Sequence, residues 1–186
     1  MIKDLNERKW KVLDSEYLFK RPWLTARRDH VKLPTGAEIQ EYYVLEYPDW
    51  VNTIAITQDG EFVMVRQYRH GIQETRYELC AGVVENGEDP LVAAQRELFE
   101  ETGYGKGNWS KLMTISANTS AMNNLTHCYL AVGVEKIDNQ HLEAGEDISV
   151  HLLKEIDVKV LLTNDEIRQA LMAAPLWKYF AMKMSL

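Results

Sequence analysis

Gly82-Val83-Val84-Glu85-Asn86-Gly87-Glu88-Asp89-Pro90-Leu91-Val92-Ala93-Ala94-Gln95-Arg96-Glu97-Leu98-Phe99-Glu100-Glu101-Thr102-Gly103-Tyr104 is the stretch that decides how this chain folds and what chemistry it carries. Asp89 is a good N-cap residue, Pro90 suits a first helical turn, and Gly103 suits a left-handed C-terminal cap. A helix is therefore predicted from Pro90 to Thr102. At 100° per residue, Glu97, Glu100 and Glu101 share an arc of about 100°, beside an apolar stripe of Leu91, Ala94 and Leu98. Carboxylates three and four apart repel one another by roughly 0.2–0.5 kcal/mol per pair. A hard divalent cation turns that cost into a gain, since magnesium takes oxygen ligands and keeps some of its waters. Arg96 stands within the cluster, where a planar guanidinium can bridge two carboxylates and orient them. Glu88 lies on the preceding loop, within reach of that arginine or of an outer metal, and Gly82 is expected to allow a tight turn.

The composition sets outer bounds. At 186 residues with 46% apolar content the chain suits one globular domain, with room for a small appended element. A formal charge of −7 argues against gripping nucleic-acid backbones, which takes a basic face. Cys80 and Cys128 form no CxxC pair and no disulfide framework, and Cys80 reads as a small core residue. The sequence has no run of 18 apolar residues and no charged-then-apolar leader over Met1 to Arg21, so a cytoplasmic protein without membrane partners is expected. The five histidines show no zinc spacing, and neither GxGxxG nor GxxxxGK(S/T) occurs.

Hydrophobic patterning orders the elements. Residues 8 to 46 read as short strands with turns at Pro22 and at Leu33-Pro34-Thr35-Gly36. Val51 to Thr57 and Glu61 to Tyr68 read as a hairpin around Asp59-Gly60. Arg76 to Val84 reads as one strand feeding the Glu88 loop, and Leu112 to Ser116, His127 to Val134 and Asp147 to Leu153 as further strands. Helices are predicted over Lys154 to Leu162 and over Asp165 to Met184, the latter capped by Asn164 and kinked or restarted at Pro175. Strands, one amphipathic helix, more strands and terminal helices make an α/β (α+β) protein: an α/β/α sandwich around a mixed sheet, preceded by an N-terminal β-region.

The opening string, Gly82-x5-Glu88-x7-Arg96-Glu97-Leu98-x-Glu100-Glu101-x-Gly103-Tyr104, resembles the Nudix box, Gx5Ex7REUxEExGU, with Tyr104 where an aliphatic residue is commoner. The resemblance extends over roughly residues 25 to 165 and follows the ADP-ribose and nucleotide-sugar pyrophosphatase branch. It implies the sandwich fold over residues 46–186 and a β-region over residues 1–45 that pairs two subunits into a homodimer. It also implies metal-dependent hydrolysis of a nucleoside diphosphate linked to a sugar, ADP-ribose first among them, with Mg2+ as cofactor and Mn2+ as a substitute. Glu97 and Glu101 are then the first metal ligands, with Glu100 close behind and the backbone carbonyl of Ala81 beside them. Such chemistry is mostly positioning and electrostatics around the phosphates.

Outside the box, Arg69 matches an arginine that the branch places near a phosphate or a terminal ribose, though a surface pair with Glu74 or Glu78 would also explain it. Glu78 is a candidate supporting residue. Trp50 and Trp23 are candidates to stack on a base. In Leu142-Glu143-Ala144-Gly145-Glu146, Glu146 matches a metal-side glutamate, while Ala144 occupies the place of the usual catalytic base. Glu143 and the box glutamates are the candidates for that role. Thr119 stands where ADP-ribose hydrolases of the family usually have a proline, which leaves the sugar nucleotide open. In a homodimer, Arg27 and Arg28 would approach a diphosphate. Two other readings stay open at this point: a Nudix-fold module that senses a nucleotide sugar without turnover, and a house-cleaning hydrolase of oxidised nucleoside triphosphates.

Overall fold

A computed structural model describes residues 7–184, which fall into two compact units. Of the described residues, the smaller holds 7–47 together with 118–124. It is an antiparallel meander of β1 (Lys11–Arg21), β2 (Leu24–Lys32) and β3 (Glu38–Glu46), in the order β1-β2-β3. Pro22 and Trp23 make the first turn, with Trp23 in the left-handed region at φ 63. The 118–124 segment pairs with the end of β3 through Leu45, whose N–H donates to Ala121 O at 2.7 Å.

The larger unit is the expected sandwich. Its elements are β4 (Trp50–Thr57), β5 (Phe62–Arg69), β6 (Glu74–Glu78), β7 (Cys80–Val83), α1 (Pro90–Thr102), β8 (Tyr104–Gly105), β9 (Asn108–Ile115), β10 (Thr126–Lys136), β11 (Ile148–Leu153), α2 (Glu155–Thr163) and α3 (Ala170–Met184). The sheet runs β11-β5-β4-β10-β8, with β6 on β5, β7 on β4 and β9 on β10. β10 lies parallel to β4 and the other pairs are antiparallel, so the sheet is mixed.

Strand alternation sends β4 side chains to both layers. Ile54 and Ile56 join Phe62 and Met64 against Val158, Leu162, Leu176 and Phe180 of α2 and α3. Val51 and Ala55 face the other way, to Ala93, Ala94 and Leu98 of α1. No helix of the described residues is long and apolar enough to cross a membrane. Both cysteines are free and buried.

Three local expectations change. The single strand over Arg76 to Val84 divides at Leu79, because β6 pairs with β5 and β7 with the first half of β4. Asn164 caps the C-terminus of α2, not the N-terminus of the next helix, and Asp165 turns left-handed at φ 58, so α3 begins only at Ala170. Pro175 lies inside α3 without ending it. A proline there withholds the donor that Leu171 O would receive. The buried Asn52 replaces it, its Nδ2 donating to Leu171 O at 2.7 Å.

Candidate active site

α1 starts and stops where local chemistry dictates. The Asp89 carboxylate accepts the Leu91 N–H at 2.8 Å, and Gly103, at φ 71, donates its N–H to Phe99 O at 2.7 Å. This helix carries the acidic cluster over the β4–β7 edge of the sheet. Arg96 is the hub. Its guanidinium holds Glu88 through two bonds of 3.0 and 2.9 Å, Glu97 at 2.8 Å, Glu100 at 3.1 Å and the carbonyl of Val83 at 3.0 Å. The hydrogen bond to Glu88 leads the effects that raise the arginine's pKa, and the same bond lowers that of Glu88. Glu88 also accepts the Glu85 N–H at 3.0 Å, so its oxygens serve the loop and Arg96.

Glu101 is 3% exposed and accepts the Ala81 N–H at 3.1 Å. Burial pushes its carboxyl up to about 7, against partial relief from Cys80 and Ala81 and with added repulsion from Glu97 and Glu146. Burial likewise raises Glu97, which Arg96 counteracts and Glu100 and Glu146 reinforce. Glu97, Glu101 and Glu146 thus feel one another. Glu146 sits on the loop before β11, where its carboxylate accepts the Glu143 N–H at 2.8 Å. Ala144 and Gly145 form the turn between them, and Glu143 is exposed.

Gly82 has a reason different from a tight turn. It lies within β7, and a Cβ there would meet the Glu97 carboxyl carbon at 2.0 Å. Only glycine lets that carboxylate lie against the strand.

Beside this cluster opens a cavity of about 340 Å³, bordered by Trp50, Arg69, Ala81, Gly82 and, from α3, Leu171 and Met172. Its size suits a small organic ligand. Arg69 is clamped by the buried Glu78, with Nε to Oε1 at 2.9 Å and Nη2 to Oε2 at 2.6 Å. That pair raises the arginine's pKa and points a fixed cation along the cavity wall. Asn52, Thr126 and Gln169 also border the cavity, and no sequence signal marked them. In the smaller unit, Arg27 is paired with Asp29 and Glu46, and Arg28 with Glu16 and Glu41. Trp23 there is 79% exposed.

Among the described residues, no three acidic, histidine or cysteine side chains already converge into a coordination sphere. The donor set nevertheless fits a hard cation. It is all oxygen and partly buried, and burial together with neighbouring carboxylates raises the proton affinity of Glu97 and Glu101 in a way that a divalent ion would relieve.

A NUDIX-domain profile matches residues 47–174, most of the chain. The chain belongs to the Nudix superfamily. A second profile, the nucleoside diphosphate sugar hydrolase N-terminal domain, matches residues 10–45 and places this Nudix protein in the ADP-ribose and nucleotide-sugar pyrophosphatase branch. A methanol dehydrogenase activator of Bacillus methanolicus is 35% identical over 86% of this chain and 81% of its own. An ADP-ribose pyrophosphatase of Bacillus subtilis (strain 168) is 29% identical over 82% and 80%. Among solved structures, an ADP compounds hydrolase superposes with a TM-score of 0.83 over 96% of both chains at 19% identity, a likeness of fold.

Proposed function

We propose that this Nudix protein hydrolyses the diphosphate bond of a nucleoside diphosphate sugar, ADP-ribose being the leading candidate, to a nucleoside monophosphate and a sugar phosphate. The observation that carries this reading is the mutually repelling cluster of Glu97, Glu101 and Glu146 beside a cavity that also presents Arg69 and Trp50. Glu97, Glu101, Glu100, Glu146 and the carbonyl of Ala81 are the oxygens offered to Mg2+, with Mn2+ as a substitute. When bound, such an ion neutralises phosphate oxygens and acidifies water.

The chain's own groups do the rest. Arg96 keeps Glu97 and Glu100 aligned so that little reorganisation is left for the reaction. Arg69, held by Glu78, supplies a fixed positive charge for a phosphate or the distal sugar. Trp50 offers a flat wall to the base. The proton of the attacking water goes to a carboxylate, Glu143 in place of the alanine at 144, or a box glutamate.

The wider reading is a homodimer in the cytoplasm. The smaller unit exposes Phe19 at 57%, Trp23 at 79% and Tyr43 at 51%, a surface that a second copy would cover. In that dimer Arg27 and Arg28 would lie near a diphosphate and Trp23 near a base. Two unpaired cysteines suit a reducing compartment. The profile match over 10–45 favours nucleotide sugars over oxidised nucleoside triphosphates, and the intact box favours an enzyme over a sensor.

The test is a panel of ADP-ribose, GDP-mannose, UDP-glucose and an oxidised nucleoside triphosphate, each incubated with Mg2+ and resolved by chromatography. Monophosphate products from the nucleotide sugars support the reading. Turnover of the triphosphate alone, or ligand binding without turnover, would replace it.

A further inference from the structure

A helix end leaves its last carbonyls without donors from its own chain turn. In α1, Phe99 O is taken by Gly103, and donors from residues 136–141 take the rest. Lys136 Nζ donates to Thr102 O at 2.7 Å. The N–H groups of Ile137 and Asp138 both reach Gly103 O, at 2.9 and 3.2 Å, and that of His141 reaches Glu100 O at 2.8 Å. The His141 ring also stacks on Phe99 with centroids 5.1 Å apart.

Gln140 does something the others do not. Its Nε2 donates to Glu101 O at 2.7 Å and to Ile148 O at 3.1 Å. A primary amide nitrogen has two hydrogens, so both are used. Both acceptors are carbonyls, which fixes the amide's orientation on chemical grounds. Gln140 therefore ties the last turn of α1, which carries Glu101, to the first residue of β11, which closes the loop holding Glu146. Inside that loop the backbone bond is local, from Glu146 N–H to Glu143 O at 3.0 Å. The span between the two carboxylates is then set at the loop's ends.

We propose that Gln140 is a positioning residue: its carboxamide sets the spacing between Glu101 and Glu146, and through it the affinity of the carboxylate cluster for a divalent cation. This rests on reading Glu146 as a metal-side glutamate. Removing a partner that orients a metal ligand lowers affinity roughly 10–100-fold.

Mg2+ alone is the probe, titrated against the intact protein by calorimetry and by thermal shift, with no substrate present. Gln140→Leu should weaken Mg2+ at least about tenfold. Gln140→Lys, which keeps donors on a stem of comparable reach, should recover most of that and serves if the leucine variant does not fold. In a Glu146→Gln background the leucine change should add no more than about twofold, since its target is already gone. An equal loss in both backgrounds would mean that Gln140 acts on the helix alone and would overturn the proposal, as would a lysine variant as weak as the leucine one. If Glu146→Gln leaves Mg2+ affinity unchanged, the reading of Glu146 is wrong and this inference falls with it. If Glu146→Gln weakens Mg2+ and Gln140→Leu does not, only this inference falls.

Discussion

Replacing Glu101 by glutamine should stabilise the metal-free protein, and only where the carboxylate would be charged. The side chain is 3% exposed, and burial, more than any neighbour, lifts it from the ordinary 4.5 to about 7. A carboxyl with a raised pKa binds its proton more tightly in the folded state. The contribution of Glu101 to stability is therefore fully present below 4.5 and is lost as the pH climbs toward 7, with no further loss above. The gap between 4.5 and about 7 corresponds to about 3 kcal/mol. At pH 5 only about 1 kcal/mol of that loss has accumulated. Glutamine keeps the oxygen that accepts the Ala81 N–H and has no charge to lose. For a chain of this size each kcal/mol moves the melting temperature by roughly 2–4 °C. In EDTA the Glu101→Gln variant should melt about 6–12 °C above wild type at pH 8 and only about 2–4 °C above it at pH 5. Circular dichroism melts at the two pH values measure this. Mg2+ at 100 times the dissociation constant should nearly close the gap at pH 8, because wild type alone then gains about 2.7 kcal/mol. A difference between the proteins that is the same at pH 5 and pH 8, or a variant that is less stable at pH 8, would mean that burial of a charged Glu101 does not destabilise the metal-free protein.

Glu97→Gln should lower turnover at least tenfold, about 1.4 kcal/mol of barrier, while the metal-free melting temperature holds or rises; a variant keeping more than about a tenth of wild-type turnover removes Glu97 from the ligand set. Gly82→Ala should fold, since the atoms that a new Cβ meets belong to the flexible end of Glu97, at a stability cost of about 1–3 kcal/mol. Its turnover should nonetheless fall with that of Glu97→Gln, and wild-type kinetics would mean that the carboxylate need not lie against β7. Asn52→Leu strands the Leu171 carbonyl and should destabilise by about 1–3 kcal/mol in urea melts. Adding Pro175→Ala, which restores the helix donor, should return part of that loss, and strict additivity of the two changes would argue against the exchange of donors.

What the sequence disclosed followed the range of the interactions. α1 was legible to the residue because Asp89, Pro90 and Gly103 act within one turn of themselves. The sandwich was legible because β4 and β10 are long apolar strands and the helices are amphipathic. The break at Leu79 was not, since strand propensity says nothing about which edge a strand will join, and β6 and β7 join different ones. Asn164 has the right chemistry for either end of a helix, and only the left-handed Asp165 and the buried Ile167 show that the chain turns before α3 starts. Gly82 was marked as special, but its reason, a carboxylate 15 residues later, needed coordinates. Asn52 and Gln140 carried no sequence signal. Each donates to carbonyls of other elements, Asn52 to one that Pro175 left without a donor.

The most direct test of the central claim is a phosphorus NMR time course of ADP-ribose with the protein and Mg2+. The two diphosphate resonances should decay together into two monoester resonances, those of AMP and ribose 5-phosphate, and EDTA or Glu97→Gln should stop the decay. Diphosphate signals that persist with Mg2+ and protein in excess, or that pass into ADP instead of AMP, would contradict it.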